Sequence, residues 1–482
     1  MKRRKFLGES ACATLGSASI MSTLLNLKMA GQAAAAGLSS GEDDCKTLVC
    51  IFLHGGIDSF NVLVPRDAAR YADYAASRTN LALPNESLLT LNQTGGDGQL
   101  YGIHPGTAGI QSLFNGINDD PNRRRLSFVS NVGTLIEPTS LGDYQNESVA
   151  IPRALFSHID QIEQWQTSLP QGASNLTGWA GRAADILHSN LNSDLASMSL
   201  SFAGNNVFQV GNTTQQFVMT PSGALTFSQS GNNSNHASVI KNIATKSLLE
   251  QHYQSLMETA FADLTRESVE QQEFVQGHFD SVSSDFVTTE FPNNRIASQL
   301  QAALRMIHLR EQLGLRRQTI FLSFGGWDHH GELLETQDGM LQQLSPALEA
   351  FQNALEELSI EDSVITFTAS DFGRTLRSNG RGTDHAWGGN QLVFGGPVAG
   401  GQVAGTYPNL ALDGPDDVGR GGRLLPTTSV DEFFAELLLW FGLSADDFSA
   451  VLPNLSNFYN PSSANPSDPS TFPIGFLKPN TF

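Results

Sequence analysis

Five short strand-like runs, the first continuously apolar and each followed by a turn that contains glycine, constrain this chain more than any other feature. They cover residues 47–53, 125–132, 318–324, 363–369 and 391–394. A strand with one wet face alternates apolar and polar residues. A strand covered on both faces does not, so these runs read as buried strands of a parallel sheet. Helix-forming stretches lie between them. Residues 333–358 set Leu341, Leu344, Leu348, Phe351 and Leu355 at helical spacing. Strand, helix, strand in that order predicts an α/β fold, doubly wound around a mostly parallel central sheet.

The turns at the strand ends carry the reactive side chains. His54, Asp58 and Ser59 follow the first run; Asp328, His329 and His330 follow the third in Gly325-Gly-Trp-Asp-His-His330; Asp371 and Arg374 follow the fourth. Asp384 and His385 precede the fifth, and Ser157 with His158 opens a predicted helix. Ligands of open α/β sheets bind outside the carboxyl ends of the strands. Carboxylates and imidazoles gathered there suit a divalent metal, with zinc a natural fit, although manganese, iron and calcium accept the same donor types. Asp328 and His330 are two apart, so an extended turn points both to one side and His329 away. Taken singly, Asp58, Ser59, Ser157 and Asp371 are also ordinary helix-capping residues.

The whole chain sets limits on partners. It has 482 residues, 40% of them hydrophobic, and a net charge of −20, which argues against nucleic acid and anionic membranes. Residues 1–36 read as an export signal: Arg3 and Arg4 precede Phe6-Leu7, a weakly apolar run follows to Leu27, and small residues close the segment at Ala36. Paired arginines before a weakly apolar run resemble a twin-arginine signal, with the Tat translocase as the export partner. That signal would place the mature chain in the periplasm or beyond; a Sec signal or a non-cleaved anchor is the other reading of the segment. No other stretch reaches the roughly 18 apolar residues that span a bilayer. Cys45 and Cys50 could pair in an oxidising compartment, but a short loop with one partner in a strand is awkward geometry. Residues 37–456 form the expected domain, with a polar helical insertion at about 237–317, a small β excursion at 196–230 and a Pro/Ser/Asn-rich tail at 457–482.

Five motifs carry a family resemblance: Leu53-His-Gly-Gly-Ile-Asp-Ser-Phe-Asn61, Gly325-Gly-Trp-Asp-His-His330, Ser370-Asp-Phe-Gly-Arg-Thr375, Gly382-Thr-Asp-His-Ala-Trp-Gly-Gly389 and Leu424-Leu-Pro-Thr-Thr-Ser-Val-Asp431. In this order they resemble the DUF1501 family. The resemblance implies export and an alkaline phosphatase-like fold, shared with sulfatases and cofactor-independent phosphoglycerate mutases. In that superfamily a ligand Asp follows the first strand, where this chain has His54 with Asp58 behind it. The superfamily nucleophile opens a helix after the second strand, which matches Ser157. Asp328 and His330 match one Asp/His ligand pair, Asp371 matches another Asp, and His385 matches the final His. Phe372 departs from the pattern, because the superfamily has a histidine ligand there.

The resemblance therefore implies an exported metal-dependent hydrolase of phosphate or sulfate esters, acting on a small molecule or a polymer. Ser157 would attack, Arg374 would hold an anionic group, and His54, Asp58, Asp328, His330, Asp371 and His385 would be the metal ligands. The other reading is a non-catalytic exported binding or assembly protein on the same fold, which Phe372 favours.

Overall fold

The computed structural model describes residues 44–172, 176–193, 196–224, 236–251, 253, 255–283 and 285–482. The expected export signal lies outside them. In chain order the strands are β1 (Lys46–Leu53), β2 (Leu63–Pro65), β3 (Leu89–Thr90), β4 (Tyr101–Ile103), β5 (Leu126–Gly133), β6 (Ser199–Ser201), β7 (Phe217–Thr220), β8 (Gly223–Ala224), β9 (Arg317–Ser323), β10 (Val364–Ser370), β11 (Gly389–Gly395), β12 (Gln402–Ala404) and β13 (Thr428–Ser429). The large sheet runs β12-β5-β11-β10-β1-β9-β6-β7-β8, with β13 beside β5, while β2, β4 and β3 form a small separate sheet.

β1 is the central strand, parallel to β10 on one side and β9 on the other. Both faces are covered, as the continuous apolar run requires. Cys50 and Phe52 point toward Trp165, Trp179 and Phe434, while Leu53 points toward Ile110, Leu341 and Leu344. The first layer comes from the helices His158–Thr167, Trp179–Leu191 and Val430–Phe441, the second from Ala108–Asn115 and Leu333–Glu357. The stretch 237–317 holds the helices His236–Leu249, Leu256–Ser281 and Arg295–His308, and the last of these buries Ile296, Leu300, Leu304 and Ile307 in the main core. Within 196–230, β6 pairs with β9 and β7, β8 closes that edge of the sheet, and residues 225–230 lie outside the described ones.

Within the mostly parallel sheet, β8 pairs antiparallel with β7 at one edge, and one of the predicted strands also runs against its neighbours. β11 runs antiparallel to both β10 and β5. Being buried throughout, it reads like its neighbours, and burial carries no information about direction. Direction is set by the connection. Residues 371–388 contain no helix to carry the chain back across the sheet, and they fold on themselves through an antiparallel bridge between Arg374 and His385. The consequence is functional: the residues preceding β11 arrive at the same edge as those following the parallel strands.

Cys45 and Cys50 are both free. Five residues of extended chain separate Cα atoms by about 16 Å, far beyond the roughly 4.4–6.8 Å a disulfide spans. The end of the tail is part of the core. Phe472, Phe476 and Leu477 are buried, and the Glu436 carboxylate accepts the N–H groups of Ile474 and Gly475 at 2.8 Å and of Leu477 at 2.9 Å. Among the described residues no helix is long and apolar enough to cross a membrane.

Asp431, on the same helix as Glu436, makes stability depend on pH. Both of its carboxylate oxygens are buried without a hydrogen-bond partner. Burial, with the charge of Glu432, pushes the carboxyl up to about 7, and the neighbouring Ser168 hydroxyl and the charge of Arg182 oppose this only in part. An unfolded chain releases that proton near the ordinary value of about 3.9. The folded chain thus holds a proton that the unfolded chain has lost. Its stability falls as pH rises from about 4 to about 7 and stays reduced above. Asp431→Asn is expected to flatten this dependence. Urea unfolding of both proteins between pH of about 5 and 8 measures it, and parallel pH profiles would contradict this role for Asp431.

Candidate metal centre

β1, β9 and β10 end at one edge of the sheet, and β11 begins there. Backbone register brings Leu53 beside Ser370 and Phe52 beside Ser323, so the turns after these strands emerge together. Gly55 makes the contact close: at φ +117° it lies against the backbone of Trp327 and Asp328, where a Cβ would come within 2.8 Å of Trp327 N. From the other side the helix His158–Thr167 aims its first residue at the same point. It is preceded by two non-glycine residues in left-handed conformation, Ala154 (φ 45°) and Phe156 (φ 75°). Such strain persists where the surroundings over-determine it and clusters at functional sites.

Three imidazoles and one carboxylate meet there. His158 Nε2 lies 3.5 Å from Asp328 Oδ2, while His330 Nε2 and His385 Nε2 lie 3.1 and 3.3 Å from Asp328 Oδ1. His330 Nε2 and His385 Nε2 are 3.0 Å apart. Each ring is anchored through its other nitrogen. His158 Nδ1 is 2.7 Å from Asp371 Oδ2, His385 Nδ1 is 2.8 Å from the Phe156 carbonyl, and His330 Nδ1 is 3.3 Å from Asp384 Oδ1. An oxygen acceptor at Nδ1 keeps the proton there and leaves the Nε2 lone pair free. All three free lone pairs converge on Asp328. Ligating histidines are oriented in this way by carboxylates and carbonyls. His158, Asp328 and His385 present donor atoms all within 4.8 Å of one another, a set that could hold a metal ion.

The electrostatics of the cluster follow from burial and from Arg374. That guanidinium is fully buried, donates to Asp328 Oδ1 at 2.8 Å and to the Thr383 carbonyl at 2.5 Å. Burial pushes the Asp328 carboxyl up, but the Arg374 hydrogen bond and charge, with His330 and His158, outweigh it and hold the carboxyl below its ordinary value. Burial likewise holds His385 below the ordinary imidazole value, against the Phe156 hydrogen bond and the Asp328 charge.

The residues singled out in the sequence are thus divided by the structure. Asp328, His330 and His385 form the cluster. Asp371, almost fully buried, also accepts the Gly55 N–H at 3.1 Å and stands behind His158; His54 Nδ1 is 4.0 Å from it. Arg374 is committed to Asp328. Asp58 is drawn away: its side chain is buried in an ion pair with Arg78, because a carboxylate taken out of water needs a charge partner. Ser157 Oγ donates to Asp160 Oδ2 at 2.7 Å, one residue from the cluster. His329 is buried on the opposite side from His330, with neither ring nitrogen hydrogen-bonded. The donor absent from the expected ligand set is His158. It sits in the motif that supplied Ser157, and the two are neighbours at a helix start, where only geometry says which turns inward. Phe372 packs its ring against His158 and His385, with centroids 4.8 and 4.6 Å away.

A family model described as a protein of unknown function, DUF1501, matches residues 45–450. No curated protein matches the chain. Among solved structures, one titled Ps i-CgsB has a TM-score of 0.34 at 10% identity, covering 85% of this chain and 77% of that one. The same protein in complex with k-i-k-neocarrahexaose has a TM-score of 0.31 at 10% identity, covering 86% and 78%. Likeness at this level carries no argument about substrate.

Proposed function

We propose that this chain, which belongs to the DUF1501 family, is an exported, metal-dependent hydrolase of phosphate or sulfate esters. The observation that carries the metal is the convergence of the His158, His330 and His385 Nε2 atoms on Asp328. Two imidazole nitrogens 3.0 Å apart need a proton or a cation between them, and oxygen acceptors at both Nδ1 atoms favour the cation. Ligands held tetrahedrally about 2.0–2.1 Å from zinc lie roughly 3.3 Å from one another. Four of the six separations, 3.0, 3.1, 3.3 and 3.5 Å, fit that edge, and the set whose donor atoms all lie within 4.8 Å of one another is His158, Asp328 and His385. His158, His330, His385 and Asp328 are the proposed ligands, and Asp371 orients His158. A divalent ion bound there supplies Lewis acidity toward an ester oxygen.

Ser157 is the proposed attacking hydroxyl. It opens the helix that also carries His158, so a substrate reaching the cluster passes beside it. Its hydroxyl already donates to Asp160, which gives its proton an acceptor. The second reading, a binding protein without turnover, draws on Phe372, whose ring packs carbon against both His158 and His385 where the superfamily has a histidine ligand. A panel of aryl phosphate and aryl sulfate esters separates the two. The hydrolase reading expects turnover that Ser157→Ala reduces by about 10³-fold or more with metal content unchanged. Turnover equal in both proteins would remove Ser157, and no turnover on any ester would favour the binding protein. The export part rests on residues 1–36, and cellular fractionation of the tagged chain tests it.

A further inference from the structure

Beside the cluster lies a group of arginines without acidic partners, unusual in a chain of net charge −20. The segment after Arg374 runs antiparallel to residues 421–424: Leu376 N donates to Gly422 O at 3.0 Å and Arg377 N to Gly421 O at 2.9 Å. This pairing sets Arg377 next to the turn that carries Arg420 and Arg423. Among the described residues none of these three forms a salt bridge, whereas Arg374 and Arg381 do. Arg377 and Arg420 are exposed. The Arg423 guanidinium lies 3.8 Å over the Phe156 ring, and its Nε is buried without a hydrogen-bond partner. Phe156 is the residue whose carbonyl holds His385.

The turn itself has an unusual backbone. Gly419 (φ 101°), Arg420 (φ 57°), Gly421 (φ 90°) and Gly422 (φ 86°) are consecutive left-handed residues. Arg420 adopts that conformation without being glycine, a strained state of the kind found at ligand clamps. The N–H groups of Arg420, Gly421 and Gly422 make no hydrogen bond to any described residue. The nearby acids are already used. Asp417 accepts Gly419 N at 2.7 Å and Asp413 N at 2.9 Å, and Asp384 is held by His330 and by Asn379 at 3.3 Å. Burial lowers Arg423 and the charge of Arg420 adds to this, while Tyr144 and Asp384 act against it. Adjacent cations without a salt-bridge partner and unpaired N–H groups in a glycine turn are what an anion neutralises.

We infer that Arg377, Arg420 and Arg423, with the 419–422 turn, form a subsite for a second anionic group, so that the substrate carries phosphate or sulfate at two or more positions. This rests on the reading of the neighbouring cluster as the site of ester hydrolysis. One anionic group lies at the metal centre and is cleaved; another, on the part that leaves, is held at the rim. The rim supplies orientation and selects polyanionic molecules, against a surrounding surface that repels them.

Isothermal titration of the full chain tests this with two multivalent probes, fructose 1,6-bisphosphate and sucrose octasulfate, each beside its single anion, fructose 6-phosphate or inorganic sulfate. The expected result is tighter binding of at least one multivalent probe than of its single counterpart, and the preferred probe identifies phosphate or sulfate. The double variant Arg377→Gln/Arg420→Gln, both exposed, is expected to weaken that binding about tenfold or more, since even one hydrogen bond to a charged group contributes about that factor. Arg423→Gln is expected to act in the same direction. Failure of both probes to bind overturns the subsite, as does a loss of less than about threefold in the double variant, which is under one such hydrogen bond. These readouts need no turnover. A chain that binds a multivalent probe through the rim but cleaves no ester loses the hydrolase reading alone, and a chain that cleaves esters without a rim effect loses the subsite alone.

Discussion

Replacing His158 with alanine is expected to lower metal affinity by more than two orders of magnitude. The substitution removes an Nε2 donor, and it also removes the group through which Asp371 acts on the centre. The two contributions can be separated. Asp371→Asn keeps the imidazole but weakens the acceptor that fixes its tautomer, and partners of this kind are worth about 10–100-fold in metal affinity. His158→Ala should therefore exceed Asp371→Asn, and the double variant should be no weaker than His158→Ala alone, because Asp371 acts only through His158. Competition against a fluorescent chelator measures all three. If Asp371→Asn costs more than His158→Ala, Asp371 is itself a ligand and the orienting role given to it is wrong.

The second large effect is on stability. Arg78 is fully buried, pairs with Asp58, and donates to the carbonyls of Thr375 and Leu376 at 3.0 and 3.2 Å. It ties the turn after β1 to the segment between Arg374 and Arg377. Removing one partner of a buried ion pair leaves the other charge uncompensated, at about 3–5 kcal/mol. Arg78→Met is expected to lower unfolding stability by about that amount in urea. The double variant Arg78→Met/Asp58→Leu should recover part of it, since no buried charge is then left alone, although the two carbonyls stay unpartnered. Metal content in Asp58→Asn should equal that of the parent. A destabilisation under about 1 kcal/mol in Arg78→Met, in the range of exposed ion pairs, would contradict the account.

Much of the fold was legible because burial on both faces leaves a plain mark: the runs at 47–53, 318–324 and 363–369 coincide with β1, β9 and β10 to within a residue or two. The direction of β11 was not legible, since a strand buried throughout reads alike either way and only the helix-free loop 371–388 decides it. The site was legible as a set of strand-end residues. Asp328, His330 and His385 meet because two follow a parallel strand and one precedes an antiparallel one. The division between ligand and support was not legible. Asp371 and Asp58 are both acids in turns after strands, yet one lies behind an imidazole and the other on an arginine, and contacts of about 3 Å decide this. His158 was hidden for a related reason: at a helix start, Ser157 and His158 are equal in sequence, and the left-handed Phe156 turns the histidine inward.

The central claim is that His158, His330 and His385 converge with Asp328 to hold a metal ion. Elemental analysis of the purified full chain, prepared metal-replete and then dialysed, tests it most directly. The account predicts about one divalent ion per chain in the parent, as for a site with three protein imidazoles and a carboxylate. It predicts a stoichiometric loss in Asp328→Ala, His158→Ala and His385→Ala, with circular dichroism showing each variant folded. A parent that binds no ion, or folded variants that keep the full complement, would contradict it.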